Sequence, residues 1–322
     1  MKPKWKLPGT AKAPLISVGA AAVRRLVALA LFMVVFPFGH LMAAGDGPRV
    51  HGPLPIGFNG LVLSGSSLQD ANRTFDPSLI RPSRFDTNIV GLAYMRTFEV
   101  RKRHVLFMGI LRGGQATRQS IFEGGREVKS SNGLADPYIG FSVNLYGLPP
   151  LDHEAYRDFQ PGLKVNFLLA AIPPLGEYDV TNPVNLGANR WSVRLGLPVT
   201  QSFTGFRGLP GTLELIPDML LFSENKDSNL EQDPLFNLEG HVTQNFTQRT
   251  WGSLGLLYSR GGKTTINGLP GNGSQESLSL SATLGINFSP RWALQLRFGQ
   301  SVAQNEFGLV GKIYQFKLAR FY

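Results

Sequence analysis

The stretch Glu276-Ser-Leu-Ser-Leu-Ser-Ala-Thr-Leu-Gly-Ile-Asn-Phe288 alternates polar and apolar residues almost without a break. In an extended strand, Leu278, Leu280, Ala282, Leu284, Ile286 and Phe288 share one face, and Ser277, Ser279, Ser281, Thr283, Gly285 and Asn287 share the other. Two environments produce that pattern. In a soluble sandwich the apolar face is a core; in a membrane barrel it meets lipid while the polar face lines a lumen. One such strand does not separate them.

The pattern recurs along the chain. Phe236, Leu238, Val242 and Phe246 alternate with Asn237, Glu239, His241, Thr243 and Asn245. Trp292, Leu294, Leu296 and Phe298 are set apart from Arg291, Gln295 and Arg297. Trp191, Val193, Leu195, Leu197 and Val199 oppose Arg190, Ser192, Arg194 and Thr200, and Ile139, Phe141, Val143 and Leu145 oppose Tyr138, Ser142 and Asn144. Each run has about ten residues, which is what a tilted strand needs to cross a bilayer. In 213–222, Glu214 and Asp218 face away from Leu213, Leu215, Met219 and Leu221. Residues 58–68, 86–98 and 103–113 alternate only partly, and 163–172 is apolar on both sides apart from Lys164 and Asn166. With further strands at 251–260 and 306–322 the chain carries about twelve, an even number as in single-chain bacterial barrels with both ends in the periplasm. No useful helical period follows residue 45.

Connections alternate in length. Long ones rich in Gly, Pro, Asn, Asp and Ser are expected at 69–85, 114–133, 173–188, 224–235 and 261–275. Short ones fall at Glu99–Arg103, Thr247–Thr250 and Ser289-Pro290, while 148–160 and 201–211 are longer than a periplasmic turn should be. Asp136-Pro137 and Asp233-Pro234 read as strand starts, where proline is tolerated. Long loops on one side and tight turns on the other mark an outer-membrane barrel.

The N-terminus carries an export signal. Lys2, Lys4, Lys6, Lys12, Arg24 and Arg25 precede the apolar run Leu26–Phe38, and the small residues Ala43-Ala44-Gly45 follow. Basic region, apolar region and small-residue site make a cleaved secretory signal over residues 1–45, with the barrel at 46–322. Pro37 and His40 end the apolar run before the ~20 residues of a spanning helix. Removing this segment takes away six basic residues and no acid, lowering the formal charge from +10 to +4. No basic stripe remains that suits nucleic acid. The absence of cysteine excludes thiol catalysis and thiolate metal sites. Charged residues make up 17%, below the ~25% of an average soluble domain, which fits a chain that shows lipid much of its surface.

The final strand adds a clue. Tyr314, Phe316, Leu318 and Tyr322 share one face, and Gln315, Lys317 and Ala319 the other. An aromatic end after alternating apolar residues is the form the barrel-assembly machinery is thought to read. Arg320 interrupts the apolar face; near the interface its stem snorkels, whereas at the midplane it would cost roughly 2–4 kcal/mol. Trp191, Trp251, Trp292, Phe321 and Tyr322 lie at strand ends, where an aromatic girdle belongs. Together these features select a transmembrane antiparallel up-and-down β-barrel of about twelve strands, an all-β fold with both termini periplasmic.

Several stretches also resemble one family. They are Gly133-Leu-Ala-Asp-Pro-Tyr-Ile-Gly-Phe-Ser-Val-Asn-Leu-Tyr-Gly147, Pro174–Asp179, Asn185–Trp191, Leu230–Leu235 and Tyr258-Ser-Arg-Gly-Gly-Lys-Thr264, with looser likeness at Phe58–Ser64 and Met95–Phe98. In order and spacing they are similar to the phenol-degradation (MetA-pathway) family of bacterial outer-membrane β-barrel transporters. Ala135 stands where that family usually has Gly, and the chain ends Phe-Tyr instead of on Trp. The resemblance implies a barrel taking up hydrophobic or aromatic compounds.

Candidate lumen-lining residues are Lys164, Arg190, Arg194, Glu214, Asp218, Glu239, His241, Arg291, Arg297 and Lys317, with Tyr138, Tyr146, Phe222 and Trp251 as inward aromatics. Both signs of charge are present, so no strong ion preference follows; the same residues also suit ladders that only stabilise the barrel. Loops 173–188 and 261–275 are long enough to fold inward as a constriction or to stay as solvated surface. A barrel hydrolase would need a nucleophile or acid pair beside a histidine. After residue 45 the histidines are His51, His104, His153 and His241, without a hydrolase elbow or metal-ligand spacing. No catalytic, cofactor-binding or metal-binding residue is therefore assigned. The expected partners are outer-membrane lipid and lipopolysaccharide, the assembly machinery and a small hydrophobic solute. A passive uptake channel is the leading reading, and a non-conducting structural or surface-binding barrel is the alternative.

Overall fold

Strand alternation closes the chain on itself. The computed structural model describes residues 45–74, 83–122 and 125–322; the expected signal at 1–45 lies outside them except for its last residue. Twelve wall strands follow in chain order: β1 (Asn59–Ala71), β2 (Arg84–Val100), β3 (Arg103–Phe122), β4 (Gly125–Tyr146), β5 (Leu163–Ile172), β6 (in two pieces, Ser192–Gly196 and Val199–Thr204), β7 (Pro210–Phe222), β8 (Leu235–Asn245), β9 (Thr250–Gly261), β10 (Gln275–Ser289), β11 (Trp292–Gln304) and β12 (Lys312–Phe321). Each pairs antiparallel with its sequence neighbours. β12 returns to β1 over Gly60↔Phe321 to Gln69↔Lys312. Among the described residues, closure leaves the wall no unpaired edge strand, as hydrocarbon requires.

The two faces of the wall decide what surrounds it. Leu280, Leu284 and Phe288 of β10 are 49%, 46% and 41% exposed, whereas Ser277 and Thr283 are buried. Leu61, Leu63, Val90, Leu92, Leu111, Phe141, Leu169, Leu215, Val242, Leu254 and Tyr314 repeat the arrangement. Apolar side chains outside and polar ones inside invert the soluble order and match a barrel in lipid. Arg320 sits at the wall's end with its guanidinium over Trp292 and Tyr322, where its stem snorkels.

One rim carries the tight connections and the start and end of the wall. Arg101 and Lys102, at φ 47 and 61, turn β2 into β3 as a two-residue hairpin. The Thr247 hydroxyl accepts the Arg249 and Thr250 N–H groups in the β8–β9 turn. The two connections that looked too long fold back locally. Residues 205–209 close around a single 3₁₀ turn, Phe206–Gly208. The β4–β5 connection holds α1 (His153–Arg157), capped by the Asp152 carboxylate.

Three expectations need correction. Residues 114–133 are not a loop: β3 and β4 run through them as a paired ribbon to Phe122↔Gly125. Beyond the bilayer both faces of that ribbon are wet, so its sequence has no reason to alternate. Asp136-Pro137 lies inside β4, beside a register shift opposite Ile110 and Arg112, and does not start the strand. Trp251 is 3% exposed and points inward, so it is no part of an outer girdle; the missing side chain of Gly285 makes its room, since a Cβ there would fall 2.0 Å from the indole. In β6 the break at Pro198 keeps its neighbours satisfied, with Asn166 N–H donating to Pro198 O at 2.9 Å and Leu197 N–H to Pro217 O at 3.0 Å.

Candidate functional site

Residues 45–58 do not join the wall. With Pro48, Pro53 and Pro55 and four glycines, this segment forms neither strand nor helix, so its backbone groups need other partners. Side chains of the wall supply them. Glu239 accepts the Asp46 and Gly47 N–H groups at 2.7 and 2.9 Å, and Glu214 accepts the Arg49 N–H at 2.9 Å. Lys317 donates to Asp46 O at 2.6 Å, and Lys164 donates to His51 O. Nearer the rim, Thr97 and Tyr156 hydroxyls donate to Pro55 O and Pro53 O at 2.5 and 2.7 Å. The segment therefore lies in the lumen as a plug, a feature sequence reasoning missed.

Its charged end is locked by an ion-pair cluster. Arg194 bridges Asp46 at 2.7 Å and Asp218 at 2.6 Å, and His51 meets the other Asp46 oxygen at 3.0 Å. Burial alone would push the Asp46 carboxyl up. Arg194 and His51 outweigh it and hold that carboxyl well below the usual carboxylate range. The Arg49 guanidinium stacks on Trp251 at 4.3 Å. Burial lowers it to about 10 against the opposing charge of Glu214.

Beside the plug, most of the surface around the open space is apolar, with Ser64, Arg112, Asn237 and Gln295 among it. A cavity of about 330 Å³ separates the plug from the opposite wall, which falls in the range of small-ligand sites. Val50, Leu54 and Phe58 face it from the plug, and Val62, Ala93, Met95, Met108 and Ile110 from β1–β3. Tyr138 and Leu220 continue that surface, which is contiguous with buried Ala170, Ile172 and Leu235. Asp46, Arg194, Asp218 and Glu239 border it at one side. At the loop end, Val184 and Leu186 from the β5–β6 connection pack with Leu68, Ala71, Phe85, Ile89, Ala116 and Ala135. Asp136 fixes that connection by accepting the Gly176 and Ala188 N–H groups, both at 2.8 Å. Of the two loops expected as constrictions, this one folds in. The other forms a small separate sheet, with Thr264–Ile266 pairing Leu230–Gln232 and Leu269–Pro270.

The sequence-selected residues divide accordingly. Lys164, Arg194, Glu214, Asp218, Glu239, His241, Arg297 and Lys317 turn inward; six of them hold the plug or its ion-pair cluster, while His241 and Arg297 reach Glu239 at 2.7 and 3.8 Å. Arg190 is buried at the loop end, bonded to Gln232 at 2.6 Å and lying over Phe222. Arg291, expected inside, is exposed in the β10–β11 turn, where the strand pattern no longer governs orientation. Tyr146 is likewise 64% exposed, because a register shift between Asn144 and Tyr146 reverses its face. His51 is buried in the plug.

Comparison with known proteins agrees with this architecture. An outer membrane channel from Pseudomonas putida F1 is 18% identical and superposes with a TM-score of 0.69, covering 86% of this chain and 100% of its own. The translocator domain of the autotransporter NalP from Neisseria meningitidis is 10% identical, with a TM-score of 0.48 and coverages of 96% and 99%. The β domain of the Bordetella autotransporter BrkA gives 10%, 0.46, 83% and 100%. No curated protein matches the sequence. One family model matches residues 71–311, most of the length, and the chain therefore belongs to the family described as "Putative MetA-pathway of phenol degradation".

Proposed function

We propose that the protein is an outer-membrane channel for passive entry of small hydrophobic or aromatic compounds. In this reading the signal at 1–45 exports the chain, the assembly machinery inserts it, lipopolysaccharide surrounds its outer half, and both termini and the tight turns face the periplasm. The observation that carries the solute class is the apolar wall of Val62, Ala93, Met95, Met108 and Ile110 facing the cavity. A water-filled porin lumen is polar; this one offers an apolar solute a surface at least as favourable as water. The family description, with its phenol-degradation pathway, supports the same class.

The plug favours one competing reading, a barrel that binds solute without conducting. Flux separates the two. Vesicles holding the purified protein should take up phenol or toluene faster than protein-free vesicles while excluding sugars of similar size; equal uptake of the aromatic with and without protein would refute conduction. A hydrolase built on His241 has little support, because its partner Glu239 already accepts two plug N–H groups.

A further inference from the structure

Glu239 is fully buried, and its carboxylate is aimed at the first residues of the plug. It accepts the Asp46 N–H at 2.7 Å and the Gly47 N–H at 2.9 Å. His241 Nε2 lies 2.7 Å away, and the nearest permanent cation on the wall, Arg297, is at 3.8 Å, beyond a good hydrogen bond. Gly45 has φ +69, and a Cβ there would fall 2.3 Å from the Glu239 carboxyl carbon. The Glu239 carboxylate therefore lies directly against the Gly45–Asp46 peptide bond, with no room for a side chain on the Gly45 side. The same glycine ends the small-residue run Ala43-Ala44-Gly45 of the export signal.

We infer that the chain is cut at the Gly45–Asp46 bond and that the α-ammonium created on Asp46 forms a buried ion pair with Glu239, making the mature amino terminus the tip of the plug. Hydrolysis consumes one water, leaves a carboxylate on Gly45 of the released signal and an ammonium on Asp46, and needs only the export peptidase. An uncut chain offers Glu239 a neutral amide at that position. A cut one offers a charged donor at the same 2.7 Å, and charge-assisted bonds are roughly twice as strong as neutral ones. The inference is independent of which solute crosses the barrel.

The test uses the whole protein purified from outer membranes. Intact mass should place the first residue at Asp46, and any other first residue overturns the inference. Acylation of the terminal amine at neutral pH, followed by peptide mass spectrometry, then reads its environment. Pairing with Glu239 raises the amine pKa, and each unit slows the reaction about tenfold. The wild-type terminus should therefore react about tenfold more slowly than that of Glu239→Gln. A second variant, with Gly-Ser inserted after Gly45, leaves every wall residue in place and moves the ammonium two residues along; it should also react about tenfold faster than wild type. Equal rates in wild type and the insertion variant would overturn the ion pair even if Glu239→Gln fails to fold.

Discussion

The two halves of the lumen solve opposite problems. From β5 to β8, and on β12, inward Lys164, Arg194, Glu214, Glu239 and Lys317 grip a segment with no secondary structure of its own, and Asp218 braces Arg194. From β1 to β3, Thr97 bonds the segment at Pro55, while inward Val62, Ala93, Met95, Met108 and Ile110 offer it only apolar contact at Val50 and otherwise face the cavity. A charged wall without a partner would be costly, because a buried ion left unpaired loses several kcal/mol of hydration. An apolar wall facing space loses only contacts. The difference teaches which half is a fixed structure and which is free to receive a guest.

Breaking the charged half should have the largest effect. Arg194→Ala leaves Asp46 and Asp218 without their shared guanidinium, and removing one partner of a buried pair costs about 3–5 kcal/mol. The plug should leave the lumen, so single-channel conductance in planar bilayers should rise well above wild type. Unchanged conductance would show that the backbone bonds to Glu239 and Glu214 hold the plug without this cluster. Asp46→Asn tests the same latch through pH. Because the folded carboxyl sits below its ordinary pKa of ~3.9, its contribution is fully present above that value and disappears as pH falls through the lowered one. Wild type and Asp46→Asn should therefore differ in conductance at pH 7 and converge only once pH has fallen below the ordinary carboxylate range. Convergence near pH 6 would assign the latch to another group.

Altering the apolar half should spare the plug and change the guest. Ile110→Asn sets a neutral amide into that wall, at a cost of about 1–3 kcal/mol where it lacks a partner. Aromatic flux in vesicles should fall about tenfold, which corresponds to roughly 1.4 kcal/mol, while the mass and labelling of the plug peptide stay as in wild type. If flux persists, solute travels by a route that avoids this surface.

The same contrast explains what the sequence disclosed. The lipid face was legible throughout, since Leu280, Leu284 and Phe288 have to be apolar wherever the wall meets hydrocarbon. The lumen face was legible only where it is polar. In β1–β3 and β5 alternation is weak because Val62, Ala93, Met108, Ile110, Leu168 and Ala170 are apolar on the inside as well, so weak alternation was itself the mark of the cavity wall. The ten candidate residues were chosen by parity, and parity fails where a turn or bulge intervenes, as at Arg291 and Tyr146. The plug left one usable trace: several inward charges on neighbouring strands require partners, and the Gly- and Pro-rich segment before β1 has backbone groups to offer. Which group pairs with which depends on how the segment enters the lumen, and no strand period encodes that.

The smallest effect should come from the outer face. On the outer face of β12, Lys312 is paired with Asp70 at the loop end and Arg320 lies at the turn end, its guanidinium 5.4 Å from the Trp292 ring centre and 4.8 Å from that of Tyr322. An exposed cation–π contact is worth about 0.5–1 kcal/mol, and removing a snorkelling cation gives back little hydration cost. Arg320→Ala should therefore lower stability by no more than about 1 kcal/mol, read as the urea midpoint for unfolding from vesicles, with conductance and aromatic flux unchanged. A substitution that instead stabilises by more than ~2 kcal/mol would place this arginine at bilayer depth, where a charge carries that penalty. The boundary between lipid and water would then lie further along β12, and the turn rim, where the plug begins, would sit inside the membrane rather than at its surface.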